Sequence, residues 1–111
     1  MTSKRVVVTG LGALTPLGNS LPEFWEGLIL GKSGAAPITY FDTSEFKTKF
    51  ACELKNYDPL NYFDRKEARK QDKFCQYAMI ASDEAIIDSN IDLKKINLDR
   101  SGVIWVLELE D

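Results

Sequence analysis

Between residues 65 and 73 the sequence reads Arg-Lys-Glu-Ala-Arg-Lys-Gln-Asp-Lys. On one continuous helix, Lys66, Arg69, Lys70 and Lys73 recur at i, i+3, i+4 and i+7, which lines up four cations on one face. The chain is otherwise acidic, with a formal net charge of −3. Such a stripe is either an ordinary solvated face or a docking site for a small acidic partner. The remaining reactive residue types are sparse. Cys52 and Cys75 are far apart and form no CxxC pair, and there is no histidine. A zinc site, a Ser-His-Asp triad and a Cys-His pair are therefore all excluded within these residues, and both thiols are expected to be reduced and buried. Asp58, Asp64, Asp72, Asp83, Glu84 and Asp88 fall on expected caps or polar faces. That placement gives no buried carboxylate pair for acid-base work.

The glycine turn Thr9-Gly10-Leu11-Gly12-Ala13-Leu14-Thr15 invites comparison with the dinucleotide fingerprint G-x-G-x-x-G. The third glycine is replaced by Thr15, Pro16 stands where a helix should already run, and no acidic residue ends a second strand. A small nucleotide-binding protein stays as an alternative, with a structural turn preferred. No cofactor or metal is expected.

The 111 residues, 44% hydrophobic and 28% charged, suit one soluble domain. No apolar run is long enough for a signal-peptide core or a membrane span, so the reading is cytoplasmic, with neither nucleic acid nor membrane as a partner.

Several elements must position these residues. Val6, Val7 and Val8 within Arg5–Thr9 predict a strand buried on both faces, and Val103 to Leu107 within Ser101–Leu107 predict a second. Ser20 and Glu23 form a capping-box pattern that opens a helix from about Pro22 to Leu30, stopped by Gly31. Phe50, Cys52 and Leu54 alternate with Lys49, Ala51 and Glu53, which predicts a strand over Lys47–Leu54. The longest regular segment is a helix from about Arg65 to Ser89. Asp64 caps it, Asn90 ends it in a left-handed conformation, and Ala78, Ala81 and Ala85 allow a close neighbour. This order predicts an α/β fold, its two apolar strands parallel and joined by a right-handed crossover.

Three stretches, Lys4 to Asn19, Phe41 to Ser44 and Phe63 to Ala78, carry a resemblance. With Trp25 to Leu28 and Gly31 to Gly34 between them, they are similar in order and spacing to the start of the beta-ketoacyl-acyl carrier protein synthase II family. The resemblance covers Ser3 to about Trp105. It implies the N-terminal part of a thiolase-like fold, an incomplete sheet with a long helix, in a family that is normally homodimeric. Residues 1–107 would form this part, and 108–111 an acidic, frayed tail. The implied family reaction is decarboxylative condensation of a malonyl-carrier protein with an acyl group held on a cysteine, in fatty-acid biosynthesis. Its nucleophile and two histidines match no position here, so neither Cys52 nor Cys75 inherits a catalytic role. The chain is expected to be catalytically inactive alone. Lys66, Arg69 and Lys70 match the family's grip on the acidic acyl carrier protein, which leaves a non-catalytic carrier-binding module as an alternative. After Trp105 the family's glycine-rich segment is replaced by Val-Leu-Glu-Leu-Glu-Asp, read as a frameshift, deletion, gene-prediction artefact or truncation. Apolar strands left uncovered predict a marginal, aggregation-prone chain.

Overall fold

The computed structural model describes residues 2–108. Helix α1 spans Leu21–Ile29. The Glu23 amide donates to the Ser20 hydroxyl at 3.4 Å, and the Glu23 carboxylate accepts from the Asn19 amide at 2.9 Å. The reciprocal bond of the capping box is thus shifted one residue upstream. At the far end Gly31 adopts φ +65°. Its amide bonds to Leu28 and that of Lys32 to Gly27. This paired closure at a left-handed glycine is how a helix satisfies its last carbonyls.

Strands β1 (Ala36–Pro37) and β2 (Phe50–Ala51) form an antiparallel pair, Ala36 opposite Ala51 and Pro37 opposite Phe50. The strand expected over Lys47–Leu54 is therefore only two residues long, and its faces are inverted over residues 50–53, while Lys49 and Leu54 keep the expected sides. Phe50 and Cys52 are exposed, whereas Ala51 and Glu53 are half-buried. Glu53 turns inward because it accepts from the Thr39 hydroxyl at 2.8 Å and the Thr39 amide at 3.1 Å. Polar satisfaction overrides the apolar alternation that the sequence displays.

The single helix expected from Arg65 to Ser89 is two helices, α2 (Arg65–Lys70) and α3 (Lys73–Ser89). Gln71 and Asp72 between them are extended, with ψ of 135° and 154°. Gln76 holds the corner. Its side-chain nitrogen donates to the carbonyls of Ala68 (3.0 Å) and Gln71 (3.4 Å), and its oxygen accepts from the Tyr57 hydroxyl at 2.6 Å. Carbonyls that the break would orphan are thereby satisfied. Asn90 ends α3 with φ +55°, as its residue type predicts.

Gly10 and Gly12 lie against the C-terminal half of α3. A Cβ on Gly12 would overlap the Ala81 carbonyl, and one on Gly10 the Ala85 carbonyl. The two acidic residues of that helix face complete the contact. Asp88 accepts from the Leu11 amide at 2.9 Å, and Glu84 from the amides of Ala13 (2.8 Å) and Leu21 (3.0 Å). The alanine face thus receives the close neighbour expected of it.

The two long apolar strands do not form. Residues 5–9 and 101–107 have no strand pairing among the described residues, and their apolar side chains are exposed, Val6 92% and Ile104 92%. The parallel pair with its right-handed crossover is absent with them; the described strands form one antiparallel pair. A strand is a ladder with a neighbour, and these segments have none within hydrogen-bonding reach. Among the described residues, burial is confined to Ile80, Ala81, Gln76 and Gly27. The radius of gyration is 17.5 Å, against about 13 Å for a compact domain of this size. Of the expected tail 108–111, residues 109–111 lie outside the described residues.

Candidate functional site

Helix α2 is one turn and a half, too short to persist on its own strength. Three things hold it. Asp64 caps it, its Oδ1 accepting from the Glu67 amide at 2.7 Å. The 3-10 turn Pro59–Asn61, itself capped by Asp58, packs beside it. The Gln76 amide closes its C-terminal end. On this fixed turn Lys66, Arg69 and Lys70 are all exposed, at i, i+3 and i+4 of one helix face. Arg69 and Lys70 occupy the last turn and Glu67 the first, which matches the helix dipole at both ends.

Lys73 does not join them. The extended residues Gln71 and Asp72 take it out of the α2 register and onto the start of α3. There its ammonium sits 4.1 Å from the centre of the Tyr40 ring, a cation–π contact. The four-cation stripe is therefore a three-cation patch with a neighbouring fourth charge partly committed to an aromatic ring.

Four of the six carboxylates have structural duties. Asp58 and Asp64 are caps, and Glu84 and Asp88 tether the glycine segment. These tethers also bear on the nucleotide alternative. A phosphate-binding turn offers free amides at a helix N-terminus. Here the Leu11 and Ala13 amides already face two carboxylates. Residues 15–18 then close a tight turn, with Thr15 and Gly18 exchanging backbone bonds at 2.9 and 3.1 Å before α1 begins at Leu21. An anion has no place there.

Cys52 is exposed and Cys75 half-buried, both as free thiols. The expectation of two buried thiols fails for Cys52, which lies exposed just past the end of β2. Sequence reasoning also missed Gln76 and Tyr57. No local signal marks them, since Gln76 shares its helix face with Asp72, Lys73 and Asp83 as well as Met79 and Ile80. Tyr57 stacks on Tyr62 (centroids 6.0 Å apart) and meets Tyr77 edge-on at 5.2 Å. Burial, then the neighbouring Tyr40 and Tyr57, push the Tyr77 phenol up to about 12. Burial, then Tyr62 and Asp58, raise that of Tyr57. A groove of about 380 Å³ runs over α3, between Ala13–Thr15 and Trp105–Leu107, floored by Phe74 and Tyr77. Among the described residues no helix is long and apolar enough to cross a membrane.

Residues 3–110 match the family "Beta-ketoacyl synthase, N-terminal domain". Among curated relatives, 3-oxoacyl-[acyl-carrier-protein] synthase 2 of Synechocystis sp. is 46% identical over 104 residues, covering 94% of this chain and 25% of the relative. The protein of the same name from Coxiella burnetii is 45% identical over 103 residues, covering 93% and 25%. The chain thus spans about a quarter of the length of these relatives. Among solved structures, the ishigamide ketosynthase/chain length factor superposes with a TM-score of 0.72 at 32% identity, over 81% of this chain and 22% of that one. A type II PKS acyl-carrier protein in complex with its ketosynthase gives 0.63 at 29% identity, over 86% and 25%.

Proposed function

The chain belongs to the beta-ketoacyl synthase N-terminal domain family, and from that membership we propose that it is the cytoplasmic N-terminal portion of a 3-oxoacyl-acyl carrier protein synthase of fatty-acid biosynthesis. In this reading it supplies scaffold and a carrier-docking patch, not the condensing chemistry. The observation that carries the docking role is the exposed trio Lys66, Arg69 and Lys70 on a helix anchored at both ends. A carrier protein with acidic side chains meets three cations already fixed in position, so less side-chain and backbone freedom is lost on binding. The solved ketosynthase bound to an acyl-carrier protein is in keeping with this partner class.

Condensation needs a thiolate to hold the acyl group, and imidazoles to support decarboxylation and the carbanion that follows. These residues contain no histidine. Cys52 lies exposed just past β2 and Cys75 in the first turn of α3 under partial cover, each without an imidazole to activate it.

Two measurements test the proposal. Titration of acyl carrier protein should show weak, salt-sensitive binding that Lys66→Glu with Arg69→Glu and Lys70→Glu reduces about tenfold or more. Each exposed charge contact contributes up to about 1 kcal/mol and reversal adds repulsion. Affinity unchanged by the triple reversal would remove the docking role. Incubation with malonyl-carrier protein and an acyl donor should give no product above a protein-free control. Sustained turnover would show that these residues suffice for condensation.

A further inference from the structure

The two residues that form the corner between α2 and α3 do little to stabilise it. Among the described residues, the buried side-chain oxygen of Gln71 has no hydrogen-bond partner, and Asp72, placed as the cap of α3, makes no side-chain capping bond. A straight helix through the same residues would join the amides of residues 72–75 to the carbonyls of residues 68–71. Gln76 intercepts the first and the last of those carbonyls, Ala68 at 3.0 Å and Gln71 at 3.4 Å. Neither carbonyl can donate, so the side-chain nitrogen must face them. The oxygen then faces the Tyr57 hydroxyl, which donates to it at 2.6 Å. Tyr57 thus fixes which way round the buried amide sits.

We propose that Gln76 is a positioning residue of the docking patch: standing in for the Asp72 amide at the Ala68 carbonyl, it selects a bent patch of three cations over a straight stripe of four. The proposal rests on the carrier-docking reading of Lys66, Arg69 and Lys70. In a straight helix Lys73 continues that trio at i+7. In the bent chain it stands apart, its ammonium over the Tyr40 ring. Gln76 is buried and closed off from any partner, so whatever it contributes passes through the placement of α2. With leucine at position 76 the bent chain holds an unpaired Ala68 carbonyl. Straightening pairs that carbonyl with the Asp72 amide and brings α2 into line with α3. Proline at position 72 forbids this, since it has no amide and its ring would strike the Ala68 carbonyl in a helix. It fits the bend. Asp72 already has φ −65° and ψ 154°, and Gln71 before it φ −108° and ψ 135°, the conformations that proline and its predecessor adopt.

Backbone chemical shifts and carrier titration together test the proposal. In wild type, Gln71 and Asp72 should show extended shifts. In Gln76→Leu they should turn helical while Ala78 to Ser89 stay helical, and adding Asp72→Pro should return Gln71 to extended values. Asp72→Pro alone should leave the Gln71 shift and the carrier affinity as in wild type. Gln71→Ala with Asp72→Ala raises helix propensity but keeps Gln76, and should stay bent. Lys73→Glu should lower carrier affinity less than about twofold in wild type but about fivefold in Gln76→Leu, the span between a weak and a strong exposed charge contact. Gly12→Ala, a destabilised variant away from the corner, should keep the extended shifts, which separates positioning from a general loss of stability. Extended shifts in Gln76→Leu, no reversal by proline, disruption by proline alone, a straight helix in the double alanine variant, or an equal effect of Lys73→Glu in both backgrounds would each overturn the proposal. The two readings fail separately. A wild type that does not bind carrier removes the docking role, while the carrier-free shifts still decide whether Gln76 sets the bend.

Discussion

Burying the Gln76 amide costs free energy unless its oxygen and nitrogen both find partners, and only 4% of this residue is exposed. It finds them in Tyr57, Ala68 and Gln71, elements that otherwise have little reason to stay together. Replacing it by leucine keeps the volume but leaves the Tyr57 hydroxyl and the Ala68 carbonyl unpaired. Gln76→Leu should therefore cost about 1–3 kcal/mol, read as a lower urea midpoint. The tyrosines around it set a limit at high pH. With its phenol pushed up to about 12 from an ordinary 10, Tyr77 keeps its proton in the folded chain after the unfolded chain has lost it. Its contribution is complete below pH 10 and disappears as the pH climbs toward 12. The urea midpoint should fall across that window, and Tyr77→Phe should flatten the fall, leaving the smaller share of Tyr57. A midpoint constant from neutrality to pH 12 would contradict the burial of this ring. Nothing in the local sequence announces Gln76. A polar residue on a helix reads as solvent-facing until the chain that returns to cover it, here Tyr57, is known.

At the scale of elements, what a segment can satisfy by itself was readable and what it needs from elsewhere was not. Helix α1, its serine cap and its glycine stop follow from residues within one turn of each other, as does the left-handed Asn90. The break at Gln71–Asp72 was invisible because both residues fit a helical pattern; the side chain that rewards breaking it comes from Gln76 and a tyrosine nineteen positions from it. The basic trio was legible as a spacing, whereas the departure of Lys73 followed the unseen break. Two substitutions probe these contacts. Asp64→Ala removes the cap of α2 and should cost about 0.5–2 kcal/mol. Because so short a helix has little else at its N-terminus, carrier binding should weaken in parallel, which titration of the same variant would register. Gly12→Ala should be worse than its size implies. The added carbon meets the Ala81 carbonyl, a backbone atom that cannot swing aside, so the glycine segment must lift off α3 and release the Glu84 tether. The expected signature is a loss exceeding the roughly 1 kcal/mol that glycine-to-alanine exchanges ordinarily move in either direction.

The whole molecule exposes more than its composition would lead one to expect. At 44% hydrophobic the sequence is rich enough to fill a core, and the two all-apolar segments were read from it as buried strands. That reading took burial for granted, and burial requires a covering layer. The chain spans about a quarter of its relatives' length, and within the described residues nothing lies over Val6–Val8 or Ile104 and Val106. Alternation and hydrophobicity encode which surface wants to be covered, not what covers it. The consequence is measurable because the denaturant dependence of stability scales with the area newly exposed on unfolding. A compact protein of 111 residues would expose about 12,000 Å² on unfolding. Starting from 9758 Å², this chain exposes only about 8,400 Å² more by the same scaling. Its urea m-value should therefore be about 0.7 of that of a compact domain of equal length. The measurement belongs at protein concentrations low enough to keep single chains apart, since association would hide surface and steepen the transition. An m-value as large as a compact domain's would mean that residues 5–9 and 101–107 are covered within a single chain in solution.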